Sequence, residues 1–320
     1  MRRAVALLAA SLALSGLAAG CGGGGAEPGA PIGATLVLDF TPNAVHAGIF
    51  AAKAEGFFNH AGVDLAVQAP GESSDAPKLL ATGRTSFAIL DIHDLGIARE
   101  KGLPLVGVMP LVQRPLAAIL TRADRGIASP RDLEDKTVGV TGLPSDEAVV
   151  DSEVAAAGGD PAEVDEVTIG FNAVSALAAG KVDAATGFWN AEGVTLRQAG
   201  VPIRVFKVDR YGAPPYPELV LTTSERTLER QPELVANVVA ATERGYRFTL
   251  ANPEKALADL LAADPSLRRP DQQAQLQVLL PALAPNPFKP RVLRHWARWD
   301  LEHGLLQKPL NVAEAFALGR

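Results

Sequence analysis

The chain has 320 residues, a formal net charge of −6, 48% apolar residues and a single cysteine. That length exceeds what one hydrophobic core usually organises, so two lobes are expected. An acidic balance without Lys/Arg clusters argues against nucleic-acid binding, and one cysteine excludes internal disulfides and cysteine-based zinc sites.

The N-terminus reads as an export leader. Arg2 and Arg3 precede an apolar run from Ala4 to Leu17, followed by the small residues Ala18, Ala19 and Gly20 and then Cys21. These are the parts of a secretory signal, and the run is too short for a comfortable membrane span. Cys21 sits where a bacterial lipoprotein signal places its lipidated residue, although Ala18 stands where that pattern prefers Leu. An ordinary secretory signal with an incidental cysteine is the alternative. Residues 1–21 are expected as signal peptide and residues 22–33, opening on Gly22 to Gly25, as a flexible tether. A lipid on Cys21 would hold the protein at a membrane surface, each buried methylene contributing about 0.8 kcal/mol. No later segment offers the roughly 18 uninterrupted apolar residues of a spanning helix.

Strand and helix signals then alternate. Thr35–Asp39 is an apolar run closed by the turn Thr41-Pro42-Asn43, and a helix is expected from about Val45 to Glu55, stopped by Gly56. A strand at Val63–Val67, a helix at Asp75–Thr82, a strand at Thr85–Leu90, a helix at Ile92–Lys101 and a strand at Leu103–Met109 continue the series. A strand at Leu116–Thr121 leads to Ser129-Pro130-Arg131-Asp132, a helix-start signature. A second series follows, with strands at Thr137–Thr141, Glu166–Ile169, Val182–Thr186 and Ile203–Val208 and helices near Ser145–Ala157 and Ala173–Ala179.

The two series share an echo: Leu80-Ala81-Thr82-Gly83-Arg84 precedes one strand and Leu177-Ala178-Ala179-Gly180-Lys181 another. Generic helix-stop chemistry explains such an echo as well as duplication does. Beyond the strand Leu219–Thr222 the chain reads as helical, with Pro232, Pro253, Pro270 and Pro290 each near a helix start, and this tail is expected to pack on the first lobe. The expected class is α/β in two lobes, residues 34–120 plus 219–320 and residues 121–218, each a mainly parallel sheet flanked by helices. Ligands of such sheets collect at the carboxyl ends of strands, in the cleft between the lobes.

The runs Leu38-Asp39-Phe40-Thr41-Pro42-Asn43, His46-Ala47-Gly48 and Ala54-Glu55-Gly56-Phe57-Phe58 resemble the start of the thiamine-pyrimidine-precursor binding proteins of ABC importers. The resemblance continues through Ala98–Pro104, Leu111–Pro115, Gly187-Phe188-Trp189-Asn190-Ala191-Glu192 and Tyr216-Pro217-Glu218-Leu219, covering roughly residues 34–260. It implies a two-lobed periplasmic-binding-protein-like fold of type II, closing over a small heterocyclic ligand and delivering it to a permease subunit. It further implies a lipid-anchored, extracytoplasmic, non-enzymatic component, for which neither a cofactor nor a metal is expected.

A flat ring with polar edges needs aromatic faces and a carboxylate or amide at its rim. Phe40 and Trp189, each after a strand, are placed to sandwich it. Glu192 and Asn43 are placed to read its edge, with Glu192 sharing a helical face with Trp189 three residues before it. Asp39, His46, Asp91 and His93 near the cleft mouth, Ser73 and Ser74 on a polar loop, and Tyr216 and Glu218 at the crossing complete the candidates. Each has a structural reading too: core aromatics for Phe40 and Trp189, a helix cap for Asn43 and a first-turn acid for Glu192. Hinge packing fits Tyr216 and Glu218, a plain turn Ser73 and Ser74, and core histidines His46 and His93. Relatives carry Trp in place of Phe40, which leaves a flavin or another heterocycle open as ligand.

The fungal thiamine-pyrimidine synthase resembles the first lobe as well. There a lysine holds pyridoxal phosphate with a histidine nearby, and this chain has Leu90 and Asp94 in those places. Leucine forms no Schiff base. Sulfonate or nitrate binders want an arginine or a nest of N–H groups, whereas the motif positions here carry acids.

Overall fold

A computed structural model of the chain describes residues 30–72 and 74–318. The leader, Cys21, most of the tether and Ser73 lie outside the described residues. The first run consists of β1 (Ile32–Val37), α1 (Ala47–Ala54), α2 (Phe57–His60), β2 (Val63–Gln68), α3 (Asp75–Ala81), β3 (Phe87–Asp91), α4 (Ile92–Glu100) and β4 (Leu105–Pro110). The second consists of β5 (Ala117–Arg122), β6 (Thr137–Val140), α5 (Pro144–Ala156), β7 (Asp165–Thr168), α6 (Ala173–Ala178), β8 (Ala184–Phe188), α7 (Glu192–Gln198) and β9 (Ile203–Lys207). After β10 (Leu219–Ser224) come α8 (Glu225–Arg230), α9 (Pro232–Ala251), α10 (Pro253–Ala263), α11 (Arg269–Leu279), α12 (Pro290–Glu302) and α13 (Val312–Ala315).

Two five-stranded sheets result, in the orders β2-β1-β3-β10-β4 and β7-β6-β8-β5-β9. In each the outer strands run parallel, and one reversed strand, β10 or β5, is inserted beside the edge strand. The reversed strands are the ones by which the chain enters a sheet from the other one, whereas the parallel strands are joined by helical crossovers. Two expected boundaries shift. Residue 120 cuts through β5, whose residues pair within the second sheet, and the tether ends before Ile32, because Ile32 and Gly33 already pair with Val63 and Asp64.

The repeated pentapeptide has a local cause. Gly83 and Gly180 follow α3 and α6 with φ of +71° and +65°, the left-handed conformation that closes a helix, and an arginine guanidinium lies over each, Arg226 and Arg125 respectively. Pro232, Pro253, Pro270 and Pro290 sit in the first turn of α9, α10, α11 and α12. The Ser129 signature forms its capping box, but only a four-residue 3-10 turn follows, ending before Asp135 at φ 59°.

The tail packs on the first lobe through glycines: a Cβ on Gly48 of α1 would strike the Tyr246 ring, and one on Gly245 of α9 would strike the Gly48 carbonyl. Tyr246 Oη then donates to the Val45 carbonyl at 2.8 Å. The helix α11 departs from expectation, because it reaches the second lobe, where Gln275 Nε2 donates to Thr195 Oγ1 of α7 at 3.0 Å. Leu36, Leu38, Phe87 and Ile89 of the first sheet and Ile119, Val138 and Ala184 of the second are fully buried. Each large apolar side chain so buried contributes roughly 1.5–3 kcal/mol. Among the described residues no helix is long and apolar enough to cross a membrane.

Candidate ligand-binding cleft

Residues 111–116 and 208–218 carry the chain between the sheets. They are tied together where Glu218 N–H donates to the Val112 carbonyl at 3.1 Å and Arg114 pairs with Asp209 at 2.8 Å. Beside this crossing the carboxyl ends of the strands enclose a cleft of about 1000 Å³, its open mouth included.

On the first-lobe wall the chain leaves β1 as Asp39 and Phe40 and turns at Asn43. The Asn43 carboxamide oxygen accepts from Val45 N–H at 3.0 Å, capping the next turn, while Asn43 N–H donates to His46 Nδ1 at 3.2 Å. With Nδ1 accepting, the ring proton sits on Nε2, which donates to Asp39 Oδ1 at 2.8 Å. His46 is fully buried and lines no part of the cleft; it orients Asp39, which does. Asn43 is both cap and wall.

Phe40 also lines the cleft, and its ring meets Phe171 edge-on at 4.6 Å between centroids. The expected sandwich with Trp189 does not form. The indole of Trp189 donates to the Pro115 carbonyl at 3.1 Å and lies beneath Lys207 Nζ, 3.8 Å from the ring, at the crossing rather than in the cleft. The reason is local: Glu192 begins α7, so Trp189, Asn190 and Ala191 form a turn and the three-residue helical spacing never applies. Glu192 does reach the cleft. Its Oε2 accepts from Phe188 N–H at 2.9 Å, and burial raises its carboxyl above the usual range despite that bond.

Beneath the first-lobe wall lies a buried acid cluster. Asp91 caps α4 by accepting from His93 N–H at 2.7 Å. Glu218 Oε2 accepts from the N–H groups of Leu116 and Ala117. Burial, then the Glu218 charge, raises Asp91 well above the carboxylate range, and burial raises Glu218 as well. His93 Nδ1 lies 2.8 Å from Asp300 Oδ2 and 3.1 Å from the Trp296 indole nitrogen. One Nδ1 cannot serve both, and Nδ1–H donates to the buried Asp300 carboxylate. Burial works against a charged imidazole here, yet Asp300, with Asp91 and Asp94 behind it, lifts His93 to about 9.

Tyr216 and Glu218 do not line the cleft; both are fully buried at the crossing, with Tyr216 edge-on to His93 at 4.7 Å. Ser74 Oγ accepts from Lys78 Nζ at 2.7 Å and is also absent from the wall.

Several wall residues were not anticipated. Phe171 follows β7; Ser145 and Asp146 open α5 after β6; Asp94 sits in the first turn of α4. Ser145 Oγ donates to Asp94 Oδ1 at 2.9 Å, and Asp146 Oδ2 accepts from Thr141 N–H at 2.7 Å and Thr186 Oγ1 at 2.8 Å. Burial raises Asp94 to about 6 although the Ser145 bond acts the other way. The signal was available, since the strand-end rule applied to β6 and β7 selects these positions. Among the described residues the cleft is lined by Asp39, Asp91, Asp94, Asp146 and Glu192 and by no Lys or Arg.

The fold is that of solute-binding proteins of ABC importers. The alkanesulfonate-binding protein SsuA from Xanthomonas axonopodis pv. citri superposes with a TM-score of 0.74 over 90% of this chain and 99% of that one, at 16% identity. In sequence, the formylaminopyrimidine-binding protein of Halalkalibacterium halodurans is 33% identical over 292 residues, 88% of each chain. A 4-amino-5-hydroxymethyl-2-methylpyrimidine phosphate synthase of Legionella pneumophila is 30% identical over 250 residues, 77% of this chain and 78% of that one. The family profile described as NMT1/THI5 like matches residues 43–256, and the chain accordingly belongs to the NMT1/THI5-like family.

Proposed function

We propose that this protein is the extracytoplasmic solute-binding component of an ABC importer and that its ligand is a thiamine-pyrimidine precursor, an aminopyrimidine such as formylaminopyrimidine or hydroxymethylpyrimidine. The carrying observation is the cleft's composition: among the described residues, five carboxylates and three phenylalanines, Phe40, Phe171 and Phe188, with no Lys or Arg. An aminopyrimidine presents N–H donors at its rim and flat faces, so Asp39, Asp91 and Glu192 accept from its edge while Phe40 and Phe171 cover its ring. A sulfonate or phosphate would meet five carboxylates against His93 as the one cationic side chain of the described wall, and an unpartnered buried polar group costs about 1–3 kcal/mol. Similarity to the formylaminopyrimidine-binding protein supports the same ligand class.

The protein acts by binding, not by synthesis. Leu90 at the end of β3 offers no amine for a Schiff base, and no lysine lines the cleft among the described residues. Cys21, once exported, carries the lipid that holds the protein beside its permease.

Calorimetric titration of the purified protein with formylaminopyrimidine, hydroxymethylpyrimidine, its phosphate ester, riboflavin and an alkanesulfonate tests this reading. Tight binding of the unphosphorylated aminopyrimidines and at least 100-fold weaker binding of the two anions is expected. Preference for the phosphate ester or the sulfonate would overturn it.

A further inference from the structure

The buried cluster beneath the first-lobe wall holds more donors than its hydrogen bonds use. One ring nitrogen of His93, one carboxylate oxygen of Asp91 and one of Glu218 lie within 4.8 Å of one another. His93 Nδ1 is committed to Asp300, which leaves Nε2 as the available nitrogen, and Nε2 has no partner. Glu218 Oε1 accepts from no N–H or hydroxyl group, and the Glu218 and Asp91 carboxyls are close enough to share one proton. His93 is 1% exposed and Glu218 0%. A buried polar atom left without a partner is costly, and His93 Nε2 lying beside two carboxylate oxygens calls for an occupant shared among the three.

We propose that Asp91, His93 and Glu218 bind one first-row divalent cation of the Zn²⁺ class at the floor of the cleft.

Each ligand is already fixed by a second contact, as metal ligands commonly are. Asp300 accepts from His93 Nδ1, orienting Nε2 inward in a carboxylate–histidine arrangement. Leu116 and Ala117 N–H groups hold Glu218 by its other oxygen. The His93 N–H holds Asp91 by Oδ1. Donors on a tetrahedral ion at the usual 2.0–2.2 Å are about 3.4 Å apart, so adjustments on the order of 1 Å complete the set. Among the described residues no Lys or Arg pairs with Asp91, Glu218 or Asp300; His93 is the cation of the cluster, and a metal ion would displace its Nε2 proton. One imidazole with two carboxylates selects a first-row transition ion over Mg²⁺ or Ca²⁺, which prefer oxygen alone. Asp91 and His93 border the cleft, so the open coordination position faces the ligand space.

The test uses the full-length protein stripped with chelator and titrated with ZnCl₂ by calorimetry, without any organic ligand. One site per chain is expected, with Mg²⁺ failing to compete and Co²⁺ giving the visible absorption of a low-coordinate site. Glu218→Gln should weaken Zn²⁺ at least 10-fold and His93→Ala at least 100-fold. Asp91→Asn retains a helix cap and so keeps the fold while losing at least 10-fold in affinity, with a melting curve run alongside. Absence of Zn²⁺ binding to the stripped protein would overturn the proposal, and so would an affinity unchanged in Asp91→Asn with an intact melting transition. Aminopyrimidine binding with no metal response leaves the functional reading standing and removes only this one.

Discussion

Ser145 Oγ donates to Asp94 Oδ1 at 2.9 Å, and that one bond joins α5 of the second lobe to α4 of the first across the cleft. Ser145 is buried and Asp94 half-buried, both on the cleft wall, so the bond belongs to the closed arrangement of the lobes. Removing the hydroxyl is expected to destabilise closure by about 1 kcal/mol, the usual worth of such a bond. Ser145→Ala should therefore weaken ligand binding about 5-fold and leave the melting temperature of the unliganded protein nearly unchanged. Calorimetry and small-angle scattering check it; unchanged affinity would assign the bond no part in closure.

Phe171 and Trp189 should separate in their effects. Phe171 contributes a ring to the cleft, so Phe171→Ala is expected to lower affinity by about 1–2 kcal/mol, mostly without loss of fold. Trp189, 6% exposed and bonded to Pro115, is a packing residue, and Trp189→Ala should cost about 3–5 kcal/mol of stability. Denaturant titration beside ligand titration distinguishes them. Equal losses of affinity at equal stability would restore Trp189 to the ligand.

Glu192 accepts from Phe188 N–H and, in the proposed function, also from the ligand edge. Glu192→Ala should lower affinity by roughly 2–3 kcal/mol and stability by about 1 kcal/mol, because the Phe188 donor loses its acceptor. Glu192→Gln keeps an acceptor oxygen, so its stability should stay near wild type while affinity falls less. A melting temperature in the Ala variant equal to wild type would contradict a stabilising role for the Phe188 bond.

Glu166 on β7 supplies a pH-dependent term away from the ligand. Burial first, then Asp151, Glu147 and Asp146, push its carboxyl from 4.5 to about 7. A raised acid contributes stability that is whole below its unfolded value and is lost as pH climbs through the folded one. Glu166→Gln should thus melt like wild type at pH 4.5 and higher than wild type at pH 8. Half-exposure and screening limit the gain to about 1 kcal/mol, on the order of 2–4 °C. A gap that fails to widen between those pH values would show that Glu166 titrates normally.

Cys21→Ala is expected to abolish incorporation of labelled fatty acid and release the protein from the membrane fraction, since the described helices offer no span. Equal label on both forms would end the lipoprotein reading.

Much of the architecture was legible in the chain. Alternating apolar residues set the strands, prolines opened the tail helices, and Gly83 and Gly180 closed α3 and α6, because these choices depend on backbone preferences within a few residues. Asp39, Phe40, Asn43, Asp91, His93 and Glu192 were picked from positions after strands or at helix starts, and all six line the cleft. What lies between residues far apart in sequence was not legible. The turn at Trp189 sends that ring to Pro115 while Glu192 goes to the cleft, and nothing in the spacing distinguishes this from a continuous helix. Phe171 meets Phe40, Ser145 meets Asp94, and Asp91, His93, Glu218 and Asp300 converge only because β10 is inserted next to β3 and α12 folds back on α4. Local sequence determined which segments are strands and helices; strand order and the packing of the tail decided which side chains share a site, because those contacts are made between elements rather than within them.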